Sequence, residues 1–124
     1  MAANEASAVG SLRIYNVAAF NYATACPGQG YPASTANLGP GPGDCTHANL
    51  VDGLLGTSNP TKHGYVFGYM PGPADNQGHV LSYTITADPI QAGSTGVRHF
   101  FTDQSGVIRY NMSGPADAES QPIL

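Results

Sequence analysis

With 124 residues the chain has the length of one domain, and a hydrophobic content of 41% is too high for general disorder. Charged residues make up only 10% of it; the net charge of −4 and four scattered cations (Arg13, Lys62, Arg98, Arg109) form no basic patch, which argues against a nucleic-acid partner. No apolar run approaches the roughly 18 residues needed to span a membrane, and no signal peptide is visible.

Residues 1–25 read as a helix. Leu12, Tyr15, Ala19 and Tyr22 recur at spacings of three and four, the stripe of an amphipathic helix, and are the expected helix–sheet core. Val9, Ile14, Val17 and Phe20 fall outside that stripe. A helix apolar on more than one side has more than one packing surface, so these four are expected to meet neighbouring subunits. The helix should stop near Ala25, because Cys26-Pro27-Gly28 follows.

Residues 26–62 read as a loop holding a short second helix. Cys26 and Cys45, the only cysteines, flank a segment with five glycines and four prolines that has little means of ordering itself. A disulfide there would close a loop of about twenty residues, contributing on the order of 3 kcal/mol, and would point to an oxidising, extracytoplasmic site. Two free buried thiols are the alternative; neither cysteine belongs to a CxxC pair, so a zinc site is not indicated. The second helix is expected from Thr46, as N-cap, to Gly56, with Leu50, Val51, Leu54 and Leu55 on its apolar side.

From residue 63 to 111 the pattern switches to strands. Tyr65, Phe67 and Tyr69 alternate with Val66 and Met70; Leu81, Tyr83 and Ile85 alternate with Val80, Ser82, Thr84 and Thr86. "GVRHFFTDQSGVIRYN" is two strands about a turn, with Gly106 where a positive φ is needed. The tail 112–124 has little periodicity and is expected to be loose. The whole is an α+β domain: a helix packed on a roughly four-stranded antiparallel sheet.

Catalytic patterns are missing. There is no GxSxG, HExxH, P-loop or strand-to-helix GxGxxG. Asp44 and His47 read as a capping carboxylate and an exposed histidine. His63 and His79 approaching across a hairpin, or oxygens from Asp75, Asn76, Asp88 and Asp103, are the only hints of a metal, and turn chemistry explains the acids. No enzyme activity, cofactor or metal is expected. Asn111-Met112-Ser113 fits a glycosylation sequon.

"ANEASAVGSLR" followed by a Tyr- and Ala-rich helix resembles the exposed half of the N-terminal helix of type IV pilins. "YTITADP" and "GVRHFFTDQSGVIRYN" resemble the last strands of the same group, so that the resemblance covers most of residues 3–111. It implies a pilin-like fold and a structural role in an extracellular filament, with copies of the chain and the pilus assembly machinery as partners. It also implies that the helix continues upstream as an apolar segment, anchored in the inner membrane before assembly. Met1 would then be an artificial start, and Glu5 would not be the glutamate that the family carries near its mature N-terminus. The alternative is a minor pilin or a type II secretion pseudopilin acting as a recognition module, with Tyr31, Tyr65, Tyr69 and the loops 26–45 and 71–78 as its contacts.

Overall fold

A computed structural model describes residues 1–123. Helix α1, Ala2–Ala25, lies on one face of an antiparallel meander whose six strands follow chain order. These are β1 (Thr61–Lys62), β2 (Tyr65–Pro71), β3 (Tyr83–Pro89), β4 (His99–Asp103), β5 (Arg109–Asn111) and β6 (Gln121–Pro122). β2 to β5 are the four strands expected from alternation. The two extra strands span two residues each, too short to show any period.

The alternation decides which face is inside. The register aligns Phe67, Ala87, Phe100 and Tyr110 across β2 to β5, with Tyr69, Ile85 and Thr102 in the next row. Successive strand residues point to opposite faces, so this set forms one surface. α1 lies across β3 and β4 on that surface. It contributes Ala8, Leu12, Tyr15, Ala19 and Tyr22 to the core. Leu12, Tyr15 and Ala19 are completely covered, as the helical stripe implied.

Three expectations are corrected. There is no second helix at 46–56. Asn49 has φ +57°, and the N–H groups of Ala48, Leu50 and Val51 bond to the carbonyls of Asn37 and Leu38 instead of to their own preceding turn. With those donors engaged, and Gly53 and Gly56 poor helix formers, the segment closes no more than a turn from Asp52 to Gly56, followed by the Thr57 N–H on the Leu54 carbonyl. Regular structure appears earlier, as a 3-10 turn at Thr35–Leu38 inside the glycine- and proline-rich loop. β3 begins at Tyr83, because Val80 bridges to Gly30 and Ala74 and is drawn out of the sheet. The tail returns: Ile123 donates to the Ile108 carbonyl, Arg109 Nη1 donates to the Ser120 carbonyl, and β6 pairs with β5.

Cys26 and Cys45 are joined, with Cα atoms 6.0 Å apart. The bond ties the end of α1 to the end of the glycine- and proline-rich loop.

Candidate interaction surface on the N-terminal helix

Phenol groups hold the irregular segments against α1. Tyr15 donates its hydroxyl to the Leu55 carbonyl (2.7 Å) and Tyr22 to the Cys45 carbonyl (2.6 Å). Tyr83, from the sheet, donates to Asn16 Oδ1 (2.7 Å), and Asn16 donates to Thr102 Oγ1 (2.9 Å). Each ring fills the core while its hydroxyl satisfies a loop or helix acceptor, which is what makes tyrosine suited to the boundary between core and loop. Burial raises the Tyr15 phenol well above its ordinary value, with the Asp52 charge adding to it, so the group remains a donor.

At the other end of the helix, Glu5 fastens α1 to the start of β4. Its Oε2 accepts the backbone N–H groups of Val97 (2.8 Å) and Arg98 (3.0 Å), and its Oε1 accepts Arg98 Nε (3.2 Å). Burial alone would raise this carboxyl; the bonds from the Arg98 and Val97 N–H groups and the guanidinium charge outweigh it and hold the group below its ordinary value. The Arg98 guanidinium also lies 5.1 Å from the Phe100 ring centre and 5.4 Å from that of Tyr110.

The residues expected on the outer face divide. Ile14, Val17 and Phe20 are exposed, at 46%, 62% and 65%. Val9 is not one of them: it is 9% exposed and belongs to the core. It stands one turn after Glu5, whose carboxylate holds the Val97–Arg98 backbone against the start of the helix. The outer face also has a groove of about 300 Å³, lined by Arg13, Ile14, Val17, Ala18, Asn21 and Leu50. Leu54, 45% exposed, follows in the loop segment that supplies Leu50.

The tyrosines proposed as loop contacts are used internally. Tyr65 is fully covered and donates to the Arg98 carbonyl (2.7 Å), so it is corrected to a core residue; burial and the Glu5 charge push its phenol up to about 12. Tyr31 and Tyr69 are half-buried and both pack on Tyr83, with ring centres 5.0 and 5.6 Å from it. Tyr69 donates its hydroxyl to the Pro32 carbonyl.

The remaining polar candidates are scattered. Asp44 Oδ1 accepts the N–H groups of Thr46 and His47, closing a turn rather than capping a helix. His63 pairs with Ser7 and His79 with Asp75, so the two histidines are not brought together. Asp88 bonds His99, while Asp103 Oδ1 accepts the Ser105 N–H. Among the described residues there is no group of three or more His, Cys, Asp or Glu side chains placed to hold a metal ion. No described helix is long and apolar enough to cross a membrane.

Neither edge of the sheet invites a further strand. Pro71 ends β2 on one outer side, where β1 adds only Thr61 and Lys62 behind Pro60; Pro122 occupies the other edge. Proline has no N–H to offer, and lysine on an edge discourages pairing.

No known protein family's model matches the chain, and no curated protein and no solved structure is significantly similar to it.

Proposed function

We propose that the chain is the globular head of a type IV pilin-like subunit, a structural protein that works by polymerising and carries out no catalysis. The observation that carries this reading is the outer face of α1. Ile14, Val17 and Phe20 hold two turns of apolar surface in water while the opposite side of the same helix is sealed against the sheet. Exposed apolar area of this kind marks an interaction surface. The proline-terminated sheet edges leave that face as the natural route of association. The disulfide agrees with an extracytoplasmic location. In this reading the partners are other copies of the chain and a pilus assembly machine, the mature location is an extracellular filament, and an apolar segment ahead of Ala2 anchors the subunit in the inner membrane before assembly.

The rival reading, a minor pilin or pseudopilin that recognises a surface or cargo through its tyrosines, draws less support. Tyr65 is buried, and Tyr69 spends its hydroxyl on Pro32.

The test is assembly. The chain, fused behind the apolar N-terminal segment of a type IV pilin, is expressed in a cell with a pilus machine, and fibres are sought by electron microscopy. Wild type should enter fibres, whereas Ile14→Asp and Val17→Asp should not, although both isolated domains keep the circular dichroism of the parent. Exclusion of the wild-type chain, or fibres from both variants, would overturn the reading.

A further inference from the structure

Asn111 is the last residue of β5, and residues 112–120, which lead to β6, form neither helix nor strand. Tyr110 packs against the core, on the face of the sheet where α1 lies. Its neighbour Asn111 therefore points to the opposite face, turned away from α1. Asn111 is half-buried; Met112 and Ser113 are exposed. The chain holds two Asn-X-Ser/Thr triplets. Asn59-Pro60-Thr61 is excluded by its proline, which leaves Asn111-Met112-Ser113.

The triplet is folded back on itself. Asn111 Oδ1 accepts the Ser113 N–H (3.0 Å) and the Ser113 hydroxyl (3.3 Å), and among the described residues Asn111 Nδ2 has no hydrogen-bond partner. An amide nitrogen is a poor nucleophile until it loses a proton, and the negative charge then falls on the amide oxygen. Both Ser113 donors are aimed at that oxygen, where they stabilise the charge as it develops. An open depression of about 430 Å³ begins at Asn111 and Met112 and reaches Asp117 and Glu119. The two carboxylates are exposed and can accept sugar hydroxyls, while the exposed Met112 side chain offers an apolar surface to the C–H face of a sugar ring. Their negative charges favour a neutral first sugar over an anionic one.

We infer that Asn111 is an acceptor for an N-linked glycan, attached in the oxidising compartment to which the disulfide points. The co-reactant is an oligosaccharide carried on a lipid pyrophosphate, and the catalyst is an oligosaccharyltransferase. A bond forms between Asn111 Nδ2 and the anomeric carbon of the first sugar. The bond from that carbon to the pyrophosphate oxygen breaks, and the lipid pyrophosphate leaves with the electron pair. Nδ2 gives up one proton to a base of the transferase. The irregular segment after Asn111 lets the enzyme seat the triplet without unpicking the core strands. The glycan stands on the side of the sheet opposite α1, so the exposed Ile14, Val17 and Phe20 stay free. The inference goes beyond the filament reading and does not depend on it.

The test is made on the folded, disulfide-intact chain. It is incubated with a purified oligosaccharyltransferase that accepts Asn-X-Ser/Thr and with a lipid-pyrophosphate-linked oligosaccharide, under conditions that modify a reference acceptor peptide. Intact mass should rise by one glycan, and peptide mass spectrometry should locate it on Asn111. Asn111→Gln and Ser113→Ala should abolish the gain while keeping the circular dichroism of the parent, and Ser113→Thr should retain it. In the glycosylated chain, amide shifts should change around Asp117 and Glu119 and stay unchanged along α1. No gain on the folded chain, a gain seen only after reduction and unfolding, or a gain that survives in Asn111→Gln would overturn the inference. So would shifts along α1, since the glycan would then lie on the wrong side of the sheet. Fibre formation decides the filament reading and not this one, because neither outcome there alters what the transferase does to Asn111.

Discussion

Val9 and Phe20 stand three turns apart and within about 20° of the same line along α1, yet Val9 is 9% exposed and Phe20 65%. The helix is fastened differently at its two ends. Near its start, Glu5 fastens the chain leading into β4, and Val9, one turn on, lies in the core. Near its end, Tyr15, Tyr22 and Cys26 draw residues 45–55 over the other flank, and Phe20 is left bare. Apolar character alone does not decide burial; what decides it is which distant segment the polar groups of each turn recruit.

The comparison breaks most severely if a charge is placed on the covered side. Leu12→Asp, Tyr15→Asp and Val9→Asp each bury an unpaired carboxylate and should cost more than about 4 kcal/mol, enough to unfold a domain of this size. Phe20→Asp, on almost the same line as Val9, should leave the thermal midpoint within a few degrees. Circular dichroism melts of the four variants decide it. A Val9→Asp protein as stable as Phe20→Asp would show that the flank is not covered.

Next in size is the fastening at the end of the helix. Reduction, or Cys26→Ser with Cys45→Ser, should lower stability by about 3 kcal/mol through the freed loop, and should release the Tyr22 bond to the Cys45 carbonyl. Hydrogen exchange should rise over residues 26–45 and the last turn of α1, with Val9 unaffected. Uniform loss of protection would mean that the two ends are not independent.

How much of this was legible in the sequence follows the same division. The core side of α1 and the four main strands were readable because period alone identifies them: Leu12, Tyr15 and Ala19, or Phe67 and Ile85, are apolar at the right spacing and nothing competes. Val9 was misplaced because its burial is decided by tertiary packing, and no local pattern shows it. The segment from Thr46 to Gly56 has helical spacing, but its N–H groups are claimed by the 3-10 turn at Thr35–Leu38, a tertiary choice that overrides a weak propensity. The tyrosines misled in a related way: their rings look like surface contacts in a list of residues, whereas the hydroxyls of Tyr65 and Tyr69 are aimed inward at carbonyls. Of the outer face, Ile14, Val17 and Phe20 were foreseen; the groove was not, because Leu50 reaches it from the loop.

The fastening at the start of the helix is smaller and depends on pH. Glu5→Gln keeps the shape but gives up the charge toward Arg98 and weakens the bonds from the Val97 and Arg98 N–H groups, at a cost of about 2 kcal/mol near neutral pH. The folded-state value of Glu5 lies below its ordinary 4.5. Its stabilisation is therefore fully present above 4.5 and is lost as pH falls through the lowered folded value. Denaturant melts from neutral to acid pH should show wild type and Glu5→Gln converging at the acid end, with a flatter profile for the variant. Parallel profiles would remove Glu5 from the explanation of why Val9 is covered.

The smallest effect is expected at the far end of β4, and it separates the cover over Val9 from the strand itself. The strand leaves through Asp103-Gln104-Ser105-Gly106, where the Asp103 carbonyl accepts the Gly106 N–H (2.9 Å) and Gly106 has φ +78°. A Cβ built at Gly106 meets nothing within 4 Å, so a larger residue would suffer from backbone conformation rather than from crowding. A β-branched residue tolerates positive φ poorly, and Gly106→Val should cost about 1–2 kcal/mol. Asparagine enters that region more readily, so Gly106→Asn should lose clearly less. The difference in unfolding midpoint between the two variants measures the turn alone, since both add side chains into open space. Val9 should keep its amide protection in both, because the Glu5 fastening beside it is made at Val97–Arg98, on the other side of the strand from the turn. If Gly106→Val instead exposes Val9, the lead-in to β4 is held by the hairpin and not by Glu5, and the contrast between Val9 and Phe20 has a different cause.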